Sequence, residues 1–107
     1  MIGDMQKWTP NVAGIIEHAR EIHPKTEVIS RLVSGEIHRT NYEEVCIRSR
    51  KLGSALEKDG VKKGDVVATL ALNTYRHLEM YYGISGMGAI THTLNFRLHP
   101  EQAIYII

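Results

Sequence analysis

The sequence predicts an α/β fold that contains the start of a parallel sheet. Two short apolar runs, at residues 66–72 and 89–93, flank a helical pattern at about 75–87. A strand, a helix and a second strand within about 30 residues are typical of a βαβ unit. The first run does not alternate with polar residues, which indicates a strand buried on both faces of a parallel sheet. Helices are expected on the faces of that sheet.

A helix and a hairpin are expected before this unit. Residues 1–26 are predicted to form a lead-in arm and then a helix at about 11–22, where apolar residues recur at helical spacing. Residues 27–40 are predicted to form a β-hairpin whose first strand runs through Val33. Gly35 is expected in its tight turn, because glycine accepts a positive φ without steric cost.

Residues 41–107 are predicted to hold a further helix and the βαβ start, so that residues 1–107 form part of one domain. The sequence T-N-Y-E at the start of this helix matches a capping box, in which the Thr40 hydroxyl accepts from the Glu43 amide. Gly60 suits the left-handed conformation that ends many helices. Pro100 fits the first position of a last helix.

The composition excludes several classes of protein. The net charge is +1 and the basic residues are spread among acidic ones, so no nucleic-acid partner is expected. A single cysteine, Cys46, excludes an internal disulfide and fits a reducing cytoplasm. No apolar stretch approaches the ~20 residues of a transmembrane helix. The start of the chain lacks the pattern of a signal peptide.

A search for chemical motifs finds no phosphate-binding loop. The glycine-rich segment 83–88 lies late in a helix, whereas a phosphate cradle needs unpaired amides at a helix start. Close packing of the helix on the sheet is the favoured interpretation. The six histidines have no metal-ligand spacing, so no metal site is expected. His77 is expected to be solvated, and His92 to be a buried, hydrogen-bonded strand residue.

Other reactive or aromatic side chains have ordinary structural explanations. Cys46 falls on the apolar face of its helix and is expected to be inert unless a base lies beside it. A cluster of tyrosines is expected to pack in the core, with an acyl-chain surface or a partner surface as the alternatives. The tyrosine cluster consists of Tyr75, Tyr81 and Tyr82. A solvated helix face is expected for three basic side chains: Arg48, Arg50 and Lys51.

Three stretches, in order across residues 40–100, carry a family resemblance. The first, T-N-Y-E-E-V with later K-L and A-L pairs, resembles the opening motif of adenylate-forming enzymes. The second, at 60–68, is G-V-K-K-G-D-V-V-A and resembles their G-V-x-x-G-D-x-V-A segment. The third, at 73–100, contains N-T-Y-R-H-L-E-M-Y-Y-G, G-M-G-A and H-T-L-N-F-R-L. It resembles the medium- and long-chain fatty-acid–CoA ligase branch of the AMP-forming acyl-CoA synthetases. Phe96 departs from the pattern, since proline is common there.

The resemblance implies a two-step reaction with fatty acid, ATP and CoA as substrates. The carboxylate attacks the α-phosphate of ATP to give acyl-adenylate and pyrophosphate, and the CoA thiol then displaces AMP. Mg²⁺ is implied for the full-length family. The family's catalytic motifs would lie downstream, so no catalytic residue is assigned and the isolated chain is expected to be inactive.

One binding hypothesis concerns the loop that follows the second strand of the βαβ unit. Open α/β sheets bind ligands beyond the carboxyl ends of their strands. The resemblance places this loop near the CoA entrance, so Asn95 and Arg97 are candidate CoA-side residues, with Arg97 on a phosphate. The alternative is a purely structural loop in which both side chains bond to backbone.

Other function classes remain open from the sequence alone. The chain could be a stand-alone interaction module that forms a homo-oligomer through its exposed apolar helix end. It could be a small-molecule-binding α/β domain that acts alone. It could also be one part of an enzyme assembled from two chains.

Overall fold

A computed structural model describes residue 3 and residues 7–107, and it confirms the predicted α/β fold class. The predicted lead-in arm falls partly on residues 1–2 and 4–6, which lie outside the described residues. The described helices and strands follow one another in this order: α1 Val12–Ile22, β1 Glu27–Arg31, β2 Ile37–Asn41, α2 Tyr42–Lys58, β3 Val66–Thr69, α3 Tyr75–Gly86, β4 Ile90–Thr93 and α4 Pro100–Ile106.

Strands β1 and β2 form the predicted antiparallel hairpin. Its turn is longer than expected, because the Leu32 amide donates to the Glu36 carbonyl at 2.8 Å and closes the loop there. Val33 therefore lies in the turn, and its placement in the first strand was wrong. Gly35 has a φ of +87°, as the turn requires.

The start of α2 differs from the predicted capping box. Thr40 belongs to β2 and pairs with Val28, so it is not in the capping position. Asn41 is the N-cap instead, and its Oδ1 accepts from the Glu44 amide at 2.9 Å. At the other end of α2, Gly60 has a φ of +98°, which confirms the left-handed turn expected there.

Strands β3 and β4 are parallel, with Val66 opposite Ile90, and this confirms the βαβ unit. The last ladder bond runs from the Leu94 amide to the Thr69 carbonyl, so β3 ends earlier than predicted. One face of the pair lies under α3, but on the other face Val66 is 64% exposed and Ile90 54% exposed. The predicted burial on both faces is therefore not met within this chain, because nothing in its described part covers the second face.

The core lies between α1, α2 and α3, where Ile16, Val45 and Cys46 are buried. At the crossing of α2 and α3, a Cβ built on Gly83 would lie 2.8 Å from the Ser49 carbonyl oxygen. Within the glycine-rich segment, Gly83 is thus closely packed. Its partner is α2, however, and not the sheet.

The molecule is extended for its length. Its radius of gyration is 16.2 Å, whereas a compact domain of this size has about 13 Å. Helix α4 projects from the body, and Tyr105 on it is 91% exposed. No helix among the described residues combines the length and the apolar character needed to span a bilayer.

Candidate functional site

A cleft of about 600 Å³ opens at the carboxyl ends of β3 and β4. We call it the strand-end cleft. Its position is the one at which open α/β sheets bind ligands, and its volume falls in the usual range for small-molecule sites. The hairpin, both strand ends and the first turns of α3 contribute the lining side chains: Ser30, Ala71, Asn73, Thr74, His77, Leu78, Tyr81, Thr93, Leu94, Asn95 and Phe96.

Two side-chain hydrogen bonds fasten α3 to the sheet, and the first lies at this cleft. His77 Nε2 lies 3.2 Å from the hydroxyl of Thr69, which is buried at the end of β3. The Ser85 and Thr91 hydroxyls are 2.9 Å apart and join α3 to β4. The expectation that His77 is solvated was wrong, because the first turn of α3 lies directly over the end of β3.

The rim of the cleft is the loop that carries the two residues predicted to face CoA. Asn95 Oδ1 accepts from the Arg97 amide at 3.0 Å, and the Asn95 carbonyl accepts from the Leu98 amide. Asn95 therefore shapes the turn, as in the structural alternative. The Arg97 guanidinium is exposed and lies over the Phe96 ring, 5.5 Å from its centroid.

A second polar cluster lies between α1 and α2. The thiol of Cys46 is 1% exposed and lies 3.5 Å from Glu17 Oε1, which also accepts from Arg50. Burial opposes ionisation of Glu17, but the hydrogen bonds from Arg50 and Cys46 outweigh it and lower the pKa of this carboxyl. Burial first, and then the Glu17 carboxylate, raise the pKa of the Cys46 thiol. A base does lie beside the thiol, yet the surroundings disfavour the thiolate that a nucleophile needs.

The three basic side chains predicted to lie on a solvated face of α2 are exposed, and two of them also form ion pairs. Arg48 Nε donates to Glu79 Oε1 on α3 at 2.6 Å. Glu79 is 7% exposed, and a buried carboxylate needs such a partner. Arg50 likewise reaches Glu17 on α1. Helical spacing places these arginines at the edge of the core but cannot show which carboxylates lie opposite.

The tyrosines divide between two roles. Tyr82 packs against the core, and burial raises the pKa of its hydroxyl. Tyr75 stacks on His38 of the hairpin with 3.7 Å between ring centroids. Tyr81 meets the edge of Tyr82 and lines the strand-end cleft. Core packing is therefore confirmed for Tyr82, whereas Tyr81 lines the strand-end cleft.

The remaining site predictions concern histidine and metal. The buried Nε2 of His92 has no hydrogen-bond partner, so the prediction of a hydrogen-bonded histidine was wrong. Within the part of the chain that the structure describes, no three histidine, cysteine or acidic side chains come together as metal ligands would.

A parallel βαβ unit with an open cleft at its strand ends is typical of α/β domains, which as a class bind their ligands at this edge of the sheet. The AMP-binding enzyme family matches residues 16–107 of this chain. The chain belongs to that family.

Individual relatives agree with this assignment. The chain is 44% identical to the 3-methylmercaptopropionyl-CoA ligase of Ruegeria lacuscaerulensis and 45% identical to the medium-chain-fatty-acid–CoA ligase of Ectopseudomonas oleovorans. Both similarities cover 100% of this chain and 20% of the relative. The solved Mycobacterium tuberculosis fatty acyl CoA synthetase shares the fold, with a TM-score of 0.79 at 22% identity over 90% of this chain and 19% of that one. The chain thus spans about a fifth of the curated relatives' length.

Proposed function

We propose that this chain is the amino-terminal part of an ATP-dependent ligase that joins a fatty acid to CoA. The whole enzyme would form an acyl-adenylate, with pyrophosphate leaving as the carboxylate attacks the α-phosphate of ATP. The CoA thiol would then attack the acyl carbonyl, and AMP would leave. Acyl-CoA, AMP and pyrophosphate are the products.

The observation that carries this proposal is the similarity to the Ectopseudomonas ligase over every residue of the chain. The sequence segments that carry the family resemblance also form identifiable turns, strands and helices in the structure. Within G-V-K-K-G-D-V-V-A, for example, the Asp65 carboxylate accepts from the Lys62 amide at 2.7 Å and shapes the turn into β3. The Ruegeria relative is named as a 3-methylmercaptopropionyl-CoA ligase, so the proposal names a fatty acid without a chain length.

The proposal assigns no catalytic residue to this chain. Mg²⁺ is proposed for the whole enzyme, where it would offset phosphate charge. By itself the chain is therefore expected to release no pyrophosphate. A reducing, cytoplasmic location is also proposed, on the ground that the buried Cys46 is a free thiol.

Arg97 is proposed to contact a phosphate of CoA. Its guanidinium is exposed at the rim of the strand-end cleft, and stacking on Phe96 limits the directions in which it can point. An arginine fork binds phosphate oxygens through two parallel hydrogen bonds. Asn95 would support this contact indirectly, because its side chain holds the Arg97 amide.

A chimera tests the proposal. Residues 1–107 would replace the matching fifth of the Ectopseudomonas ligase, and AMP formation from octanoate, ATP and CoA would be measured. We expect octanoate-dependent, CoA-dependent activity. A folded chimera that forms no AMP would contradict the proposed function.

An alanine variant of the same chimera tests the CoA contact. Arg97→Ala should raise the KM for CoA about tenfold and leave the KM for octanoate unchanged, since one charge-assisted contact is lost. Arg31→Ala is the matched control, because Arg31 is exposed and follows Ser30, so it points away from the cleft. An unchanged KM for CoA in Arg97→Ala would remove Arg97 from the binding site.

Self-association is the second candidate function, and the open sheet face favours it. Val66 and Ile90 leave apolar surface exposed on that face, as Tyr105 does on α4. A second copy of the chain could cover it. Sedimentation over a range of concentrations would show a dimer under this alternative and a monomer without it.

A further inference from the structure

A second cavity, of about 280 Å³, lies between α1, α2 and α3 and shares no lining residue with the strand-end cleft. We call it the three-helix cavity. Gly86 leaves part of its space unfilled, because a Cβ built there would meet no atom within 4 Å. An apolar cavity of about 150 Å³ can hold benzene, so this one has room for about ten non-hydrogen atoms.

The wall of this cavity carries a buried hydroxyl that lacks a partner. Ser49 lines the cavity and is 3% exposed, and its Oγ has no hydrogen-bond partner among the described residues. The neighbouring Cys46 thiol does not supply one, because it donates to Glu17. An unpaired buried hydroxyl is costly and uncommon in native proteins. A serine hydroxyl turns between staggered χ1 rotamers, so Ser49 can direct Oγ at a molecule in the cavity.

The rest of the lining favours an uncharged molecule. Ile16 and Met87 supply apolar surface. Arg50 is the cation of the lining, and Glu17 already occupies its Nε and Nη2. The exposed carboxylate of Glu57 also repels an anion. A cation that reached Ser49 would lose its hydration beside a neutral hydroxyl, which repays little of that cost.

We propose that the three-helix cavity binds a small uncharged molecule that carries one hydroxyl on an apolar body, as a short-chain alcohol does. The ligand hydroxyl exchanges a hydrogen bond with Ser49 Oγ, and its apolar body packs against Ile16 and Met87. The bound molecule contacts all three helices and so holds α1 on α2 and α3. This site goes beyond the proposed ligase function, which uses none of its residues.

Three six-carbon probes with different head groups test the ligand class. 1-Hexanol, hexanoate and hexylamine would each be titrated into the ¹⁵N-labelled chain while amide resonances are followed by NMR. For hexanol we expect saturable shifts at residues 46–57 and 82–87, with a dissociation constant on the order of 1 mM. Hexanoate and hexylamine should bind about tenfold more weakly, because each must bury a charge without a partner.

A serine variant tests the hydrogen bond. Ser49→Ala should weaken hexanol binding about fivefold. It should leave the urea midpoint of the unliganded chain level or raise it, because it removes a hydroxyl that has no partner. Ser54→Ala is the matched control, since Ser54 lines the same cavity from the same helix but is exposed. Its affinity for hexanol should stay within about twofold of the original.

Several results would overturn the inference. Without any saturable shift, the cavity would hold water alone. Shifts confined to the strand-end cleft would place the alcohol elsewhere, and equal or tighter binding of hexanoate or hexylamine would refute the uncharged class. Unchanged hexanol affinity in Ser49→Ala would remove the hydrogen bond. A Ser49→Ala chain that is unfolded or less stable would show that the hydroxyl already has a partner within the protein, which would also refute the site.

Discussion

The crossing of α2 and α3 gives a sharp test of the packing, through Gly83→Ala. A Cβ at this position would lie 2.8 Å from the Ser49 carbonyl oxygen and 3.1 Å from Leu52 Cδ2. The first contact is to backbone, so the strain can be relieved only if the two helices separate. Gly86→Ala is the matched control in the same helix, because nothing lies within 4 Å of its Cβ position.

The two substitutions should change the free energy of unfolding in opposite directions. Alanine in place of a helical glycine favours the helix by about 0.5–1 kcal/mol. At Gly83 the overpacking should cost about 1–3 kcal/mol, so a net loss of up to about 2.5 kcal/mol in the free energy of unfolding is expected. At Gly86, the last residue of α3, only the difference in helix propensity remains, and the free energy of unfolding should rise by less than about 1 kcal/mol.

Urea denaturation followed by far-ultraviolet circular dichroism would measure this difference. With an m-value of about 1–1.5 kcal/mol/M for a small domain, the Gly83→Ala midpoint should fall by about 1 M. The Gly86→Ala midpoint should stay level or rise slightly. If Gly83→Ala were as stable as Gly86→Ala, α2 and α3 would not meet as closely as described.

Three further predictions concern polar contacts in the core. Arg48→Met should lower the urea midpoint, because it leaves the buried Glu79 without its partner. Adding Glu79→Gln should restore much of the lost stability. If the stability losses of the two substitutions simply added in the double variant, this pairing would be contradicted. The lowered pKa of Glu17 contributes stability that is present above pH 4.5 and is lost as the pH falls further. The difference in urea midpoint between the original chain and Glu17→Gln should therefore shrink in acid. A difference that stays constant with pH would refute this contribution of Glu17. Cys46 should react with a disulfide reagent about a hundredfold more slowly in the native chain than in urea, and rapid native labelling would show that the thiol is accessible.

Local patterns were sufficient to predict much of the fold. The apolar spacing of α2 identified Val45 and Cys46 as buried residues. The strand–helix–strand order predicted the parallel pairing of β3 with β4. These features depend on residues close in sequence, so the sequence carries them directly.

Predictions that depended on an exact register were less successful. Thr40 and Asn41 are both good capping residues, and pairing of Thr40 with Val28 across the hairpin decides between them. In the same way, Ile15 belongs to the apolar pattern of α1 but is 60% exposed, because the body of the chain covers only the stripe around Ile16. Such choices are made by tertiary contacts.

The candidate site was only partly predictable. The position of Asn95 and Arg97 beyond β4 follows from strand order, and the rule for open α/β sheets then directs attention to that edge. The contribution of the hairpin through Ser30, and that of α3 through His77, depends on contacts between distant segments. No spacing in the sequence indicates those contacts.

Sequencing the source DNA beyond codon 107 would test whether this chain is the amino-terminal part of an acid–CoA ligase. We expect the reading frame to continue into a Ser/Thr/Gly-rich loop that ends in lysine, followed by the other motifs of the family. A stop codon followed by unrelated sequence in every frame would contradict it. The chain would then have to act as a binding or interaction module without ligase activity.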